Sequence, residues 1–138
     1  MTWTCPGCGR AFARAHQSHG CSPALELADY FATGPSFERP VFDAVATHLR
    51  SVGPVRIEAV QVGILFKRQR TFAELRPGRD RLRLSLLVSR DLVDPRVVRR
   101  MTRSGRRWAV WVDLRAPADV DETVRAWLTE AYLSSPLT

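Results

Sequence analysis

Cys5-Pro6-Gly7-Cys8-Gly9, followed by His19-Gly20-Cys21, is the part of this chain whose residue types and spacing could do chemistry. All three cysteines of the protein fall within these positions. A Cys-x2-Cys turn delivers two thiolates from one tight loop, and a later His/Cys pair completes the four N/S ligands that a tetrahedral zinc ion takes. Gly7 and Gly9 allow positive φ around the turn, so that amide N–H groups can point at the sulfurs and offset their charge. His16 and His19 compete for the one place left beside Cys21. His19 stands two residues from Cys21, and in an extended segment the two project to the same side, whereas His16 needs a longer loop back. The expected ligand set is Cys5, Cys8, His19 and Cys21 around a structural Zn2+, with His16 as the alternative to His19.

Phe12 follows Cys8 at the offset seen in base-reading C2H2 fingers, and Cys21 falls where the first histidine of such a finger would stand. Positions 24 to 26 are Ala24, Leu25 and Glu26, which supply no fourth ligand in that pattern. The knuckle is therefore expected to be a staple with Phe12 packed over it, not a base reader. Catalysis finds no matching pattern: the chain lacks a P-loop, a G-x-G-x-x-G and a G-x-S-x-G elbow, and the zinc ligands use up its thiols. A closed four-ligand cage also has no open position for a reacting water. His48 lies near the end of a helical segment, where a dipole contact accounts for it. A non-enzymatic binding module is the expectation.

The elements that must position the knuckle read as α+β. Leu27, Ala28 and Phe31 share one side of a helix over 25–32, and Phe42, Val45, Ala46, Leu49 and Val52 do so over 41–52. Gly53-Pro54 stops the second helix. The period then changes to two, with strands expected around Val55–Ala59, Val62–Phe66, Thr71–Leu75 and Leu82–Val88. Asp94 to Arg107 could begin a helix at Asp94-Pro95, but Val97, Arg99 and Met101 alternate, and Ser104-Gly105 reads as a hairpin turn before Trp108–Val112. Asp119 and Glu122 resemble a capping box for a last helix whose apolar face is Val120, Val124, Trp127, Leu128 and Ala131. The expected architecture is a small antiparallel sheet of five to six strands with helices from both ends of the chain, divided into a zinc knuckle at 1–22 and an α+β domain at 23–138. With 45% apolar residues, that length can bury one ordinary core. No leader-like segment and no run of about eighteen apolar residues stands out, so a soluble cytoplasmic protein without disulfides is expected.

Charge is uneven along the chain. The net charge is +7, but residues 61 to 107 carry fourteen Lys or Arg against four acids, a surplus of ten. Lys67, Arg68 and Arg70 form one cluster; Arg99, Arg100 and Arg103, with Arg106 beyond, form another. Such clusters are the electrostatic footprint of a phosphate-rich partner, and Trp108 or Trp111 could stack on bases. A nucleic acid or another acidic partner is one expectation; an interaction or small-acid-binding module with Lys67, Arg68 and Arg70 at its site is the other.

The combination of Cys-Pro-x-Cys-Gly-Arg-x-Phe with Gln17-x-His19-x-Cys21, then Phe42-Asp43, Gly53-Pro54, Ile64-x-Phe66, Phe72-Ala73 and Trp127-Leu-x-x-Ala131-Tyr132, resembles a bacterial domain family of unknown function common in actinobacteria. The resemblance covers nearly the whole chain. It implies an N-terminal zinc knuckle and supports His19 over His16, but it implies no activity. That family tends to carry a histidine near Trp108 to Trp111, and this chain has none there.

Overall fold

The computed structural model describes residues 2–19, 21, 25–103 and 107–135. Two short strands, β1 (Trp3–Thr4) and β2 (Ala11–Phe12), pair antiparallel around the cysteine turn. Helices α1 (Leu27–Ala32) and α2 (Glu38–Val52) follow. Then come β3 (Arg56–Val60), β4 (Gly63–Lys67), β5 (Thr71–Pro77), β6 (Leu82–Val88), β7 (Val97–Arg103) and β8 (Arg107–Leu114). A single 3-10 turn at Pro117–Asp119 leads into α3 (Glu122–Ser134). The six long strands form one sheet in the order β3-β4-β5-β6-β8-β7, with every neighbouring pair antiparallel. The expected α+β class and hairpin over 97–114 are what the chain adopts. Its Ser104-Gly105 turn and Arg106 lie outside the described residues.

One face of the sheet is dry. Val41, Phe42, Val45, Ala46 and Leu49 recur at helical spacing, so α2 buries one stripe. Val124, Trp127, Leu128 and Ala131 do the same for α3, which lies over β5 and β6. These stripes meet Ile64, Phe66, Leu75, Leu84, Leu86, Val110 and Val112, the alternate residues of the central strands. The short α1 adds Phe31, whose ring lies 5.2 Å from Phe42, while the Tyr30 hydroxyl donates to Glu38 Oε2 at 2.6 Å.

One sequence expectation holds for a different physical reason, and one needs correction. Gly53 does end α2, its N–H reaching Leu49 O at 3.2 Å, but at φ 169° it is extended and not left-handed. Glycine is needed there because a Cβ would strike the Tyr132 hydroxyl, which donates to Pro54 O at 2.8 Å. The cap of α3 is Asp121, whose side chain accepts from Val124 N at 2.9 Å. Asp119 instead accepts from Arg115 N (2.7 Å) and Ala116 N (3.2 Å), closing the turn before the helix. Both acids are therefore used by backbone amides rather than by a capping box.

His48 ties the two long helices together, its Nε2 standing 2.8 Å from Thr129 Oγ1. Burial holds its pKa below the usual 6.5, and the Arg125 charge acts in the same direction. A histidine held below its unfolded value makes the unfolded chain the better proton binder as pH falls through about 6.5. The stability this neutral histidine confers is therefore present above that pH and lost below it. Urea unfolding at pH 7.5 and pH 5.5 should show wild type losing more stability on acidification than His48→Gln; equal losses would refute this assignment.

Candidate metal centre and the arginine face beside it

The knuckle is built from the hairpin outward. Pairing of Trp3 with Phe12 and Thr4 with Ala11 brings the chain back on itself. Cys5 N donates to Arg10 O and Gly9 N to Cys5 O, both at 2.8 Å, and Gly9 takes φ 75° to make that return. Gly7 is required for space: a Cβ there would lie 2.9 Å from Cys21 Sγ. The ligand atoms of Cys5, Cys8, His19 and Cys21 all lie within 4.8 Å of one another.

Two of the separations match the edges of a tetrahedral site. Bonds of about 2.3 Å to sulfur and about 2.0–2.1 Å to nitrogen imply edges of about 3.8 Å between two sulfurs and about 3.6 Å between sulfur and nitrogen. Cys5 Sγ and Cys21 Sγ are 3.7 Å apart, and Cys8 Sγ and His19 Nε2 are 3.5 Å apart. The first distance is far beyond the ~2.05 Å of a disulfide. His19 Nδ1 stands 2.6 Å from Gln17 O, so it donates there and leaves the Nε2 lone pair directed at the cage. His16, at φ 58°, instead sets its ring 5.1 Å from that of Trp3.

Burial pushes the Cys5 thiol up, but hydrogen bonds with the Cys8 and Gly7 backbone and with the Cys21 and Cys8 side chains outweigh it and bring it down to about 6. Cys21 moves to about 11, because its hydrogen bond to Cys5 holds the proton, burial adds to this, and negative charge on Cys5 and Cys8 opposes a further ionisation. A cation bound among them would favour the thiolate form of all three cysteines.

Phe12 covers the site. Its ring stacks on His19 at 4.0 Å and receives the Lys67 ammonium at 4.5 Å. The knuckle sits on the face of the sheet opposite the helices, through charges that sequence reasoning did not pair. Glu58 of β3 accepts from Arg10 Nε at 3.2 Å and pairs with Lys67 Nζ at 3.0 Å; Lys67 Nζ also donates to Ala11 O at 3.3 Å. All three side chains are buried. Burial lowers the Lys67 pKa, although the hydrogen bond to Glu58 opposes that shift. Alternation in β3 and β4 makes Glu58 and Lys67 look like solvated outward residues; only the docked knuckle covers them.

Lys67, Arg68 and Arg100 therefore do not belong to an open basic face. Lys67 is the knuckle's anchor. Arg68 donates to the carbonyls of Tyr132 (3.0 Å) and Ser135 (3.2 Å), with its guanidinium 4.3 Å from the Tyr132 ring, so it caps the end of α3. Arg100 faces the helix side and pairs with Asp91 at 3.0 Å. Arg70, Arg99 and Arg103 do converge. They line a cleft of about 580 Å3 on the outer face with Arg76, Arg83 and Arg107, floored in part by Trp111, whose ring lies 4.9 Å beneath the Arg99 guanidinium. Trp108 points the other way and packs against the core.

Acids on this face already have partners. Glu74 pairs with Arg76, and Asp113 with Arg83 (2.8 Å) and Arg81 (3.2 Å). Among the described residues, Arg70, Arg99, Arg103 and Arg107 have no carboxylate partner. Arg103 and Arg107 even stand directly opposite one another across β7 and β8, and like charges so placed are destabilising. Odd numbering of 99, 103 and 107 was the signal in the sequence that could have grouped them.

No helix among the described residues is long and apolar enough to cross a membrane. No curated protein and no solved structure matches the chain. A family model, described as a domain of unknown function (DUF5655), matches residues 27–135. That span holds α1, α2, all six strands of the large sheet and α3, and leaves the candidate metal knuckle outside it. On that match, the chain belongs to the DUF5655 family.

Proposed function

We propose that this protein is a non-enzymatic binding module, stapled by a structural zinc ion, whose outer sheet face receives a phosphate-bearing polyanion, nucleic acid first among them. Zinc suits the Cys3His donor set and the tetrahedral spacing, and four such ligands leave no position for a reacting water. The observation that carries the binding role is the convergence of Arg70, Arg99, Arg103 and Arg107 on one cleft whose carboxylate, Glu74, pairs with Arg76, so that among the described residues none of the four has a carboxylate partner. Like charge gathered in this way costs stability, and a polyanion offsets that cost. Arginine also suits phosphate, because its planar fork donates two parallel hydrogen bonds.

A titration of labelled oligonucleotides at several salt concentrations tests the reading. Affinity should fall steeply with salt, by roughly 0.7 to 0.9 log units per log unit for each phosphate engaged. Replacing Arg99 and Arg103 together by Ser should weaken binding and remove about two contacts from that slope. Failure of oligonucleotides to bind at low ionic strength, or binding unchanged by the double substitution, would remove nucleic acid from the proposal. The second reading, a small acidic ligand, draws on the cleft volume, which lies within the range of small-molecule sites. Its sign would be retained affinity for a short phosphate ester where oligonucleotides fail.

A further inference from the structure

The arginine cleft does not end at β5. A second cleft of about 260 Å3 lies between the knuckle and the sheet, lined by Phe12, Ala13, Gln17 and His19 on one side and by Leu65 and Gln69 on the other. Arg70, Thr71 and Glu74 line both clefts, so the two adjoin. Together they run across the strands from β7 to β4, four inter-strand spacings or roughly 19 Å. One end is the arginine-bearing β7–β8 hairpin, and the other is the metal knuckle.

Resting on the polyanion reading, we infer that this groove takes a single-stranded nucleic acid laid across the sheet, with the docked metal knuckle as its end wall and part of its binding surface. The Arg99 guanidinium over Trp111 is a flat cationic platform of the kind on which an unpaired base stacks. Arg103 and Arg107 flank it at the hairpin, and Arg70 stands at the junction of the two clefts, so that cations recur along the groove where successive phosphates would pass. Stacking needs unpaired bases, and a platform set on the floor of a cleft is out of reach of bases paired inside a duplex. At about 3.4 Å per stacked nucleotide, 19 Å holds roughly five to six nucleotides. Two nucleotides placed on the Arg99 platform would not reach the knuckle.

Ala13 separates this inference from the broader reading. It lines the knuckle side of the groove without belonging to the ligand set, so Ala13→Glu adds negative charge to the end wall while sparing the metal. Fluorescence anisotropy at low salt would be measured with oligothymidylates of two, four, six and eight nucleotides and with a twelve-base-pair duplex, metal content being checked for each protein. Affinity should rise with length to about six nucleotides and then level off, and the duplex should bind more weakly than the six-nucleotide strand. Ala13→Glu should weaken the six-nucleotide strand at least fivefold and leave the two-nucleotide one unchanged. Trp111→Ala should cost on the order of tenfold for single strands, and Trp111→Phe, which keeps a stacking face, should retain most of the affinity.

Equal or tighter duplex binding, or a six-nucleotide strand indifferent to Ala13→Glu, would overturn the single-strand groove while leaving an arginine-dependent polyanion site in place. Loss of all oligonucleotide binding would remove both. A Trp111→Phe protein as defective as Trp111→Ala would show that the tryptophan acts through packing, and the stacking platform would fall.

Discussion

Cys8→Ser should release the metal from protein that otherwise carries about one equivalent of zinc, and should melt residues 1–22 while the sheet and its helices stay folded. The knuckle's own core is Cys5, Cys8 and Phe12 with Trp3 against them, far too little apolar surface to hold a chain segment without help. Metal binding must supply the ordering free energy, which in small zinc modules amounts to roughly 10–16 kcal/mol. Removing one thiolate opens the cage and forfeits most of it. The large core of α2, α3 and the six strands shares no residue with that site, so its urea transition should move little. Metal analysis, near-ultraviolet circular dichroism and proteolysis of the N-terminal segment read the two parts separately. Protein prepared without chelator and found free of zinc would remove the assignment. His19→Ala should weaken metal retention far more than His16→Ala, because only His19 has its Nε2 in the cage; the reverse order would move the ligand to His16.

Glu58→Gln should undock the knuckle without releasing its metal. The substitution leaves Lys67 buried without its counter-charge and takes the Glu58 carboxylate from Arg10, and breaking a buried ionic group by removing one partner costs roughly 3–5 kcal/mol. That cost is relieved when the knuckle lifts and both cations meet water, which needs no rearrangement of the sheet. Hydrogen exchange should therefore rise across residues 2–19 and along β3 and β4, while zinc content and the global melting temperature stay near those of wild type. Adding Lys67→Met to Glu58→Gln should restore much of the docking, since the buried ammonium that lost its counter-charge is then gone. Unchanged exchange in Glu58→Gln would show that the ionic group does not hold the knuckle.

Local chemistry made much of this legible in the sequence. Cys5, Cys8 and Cys21 could be named because metal spacing is a property of a few consecutive residues, and His19 because two residues in an extended segment reach the same point. The helices and strands followed from periods of 3.6 and 2, which are also local; Leu82, Leu84 and Leu86 alternate in the chain as they do in the sheet. Boundaries that depend on a partner were harder. Gly53 was legible as a helix stop, but the constraint that requires glycine there comes from Tyr132, far along the chain.

What a cluster of charges does was decided by tertiary structure alone. Lys67, Arg68 and Arg70 are near neighbours in sequence, yet one is buried under the knuckle, one caps α3 and one opens onto the outer cleft. Arg99 and Arg100 are adjacent and lie on opposite faces, because successive residues of a strand point apart. The sequence therefore determined that the chain carries an excess of positive charge and where the candidate metal ligands lie. Which cations are cancelled and which are left over depended on the acids that long-range pairing brought beside them: Glu58 and Asp91 remove Lys67 and Arg100, and no carboxylate reaches Arg70, Arg99, Arg103 or Arg107 among the described residues. Charge is written residue by residue, but its neutralisation depends on distances between segments that only the folded sheet sets.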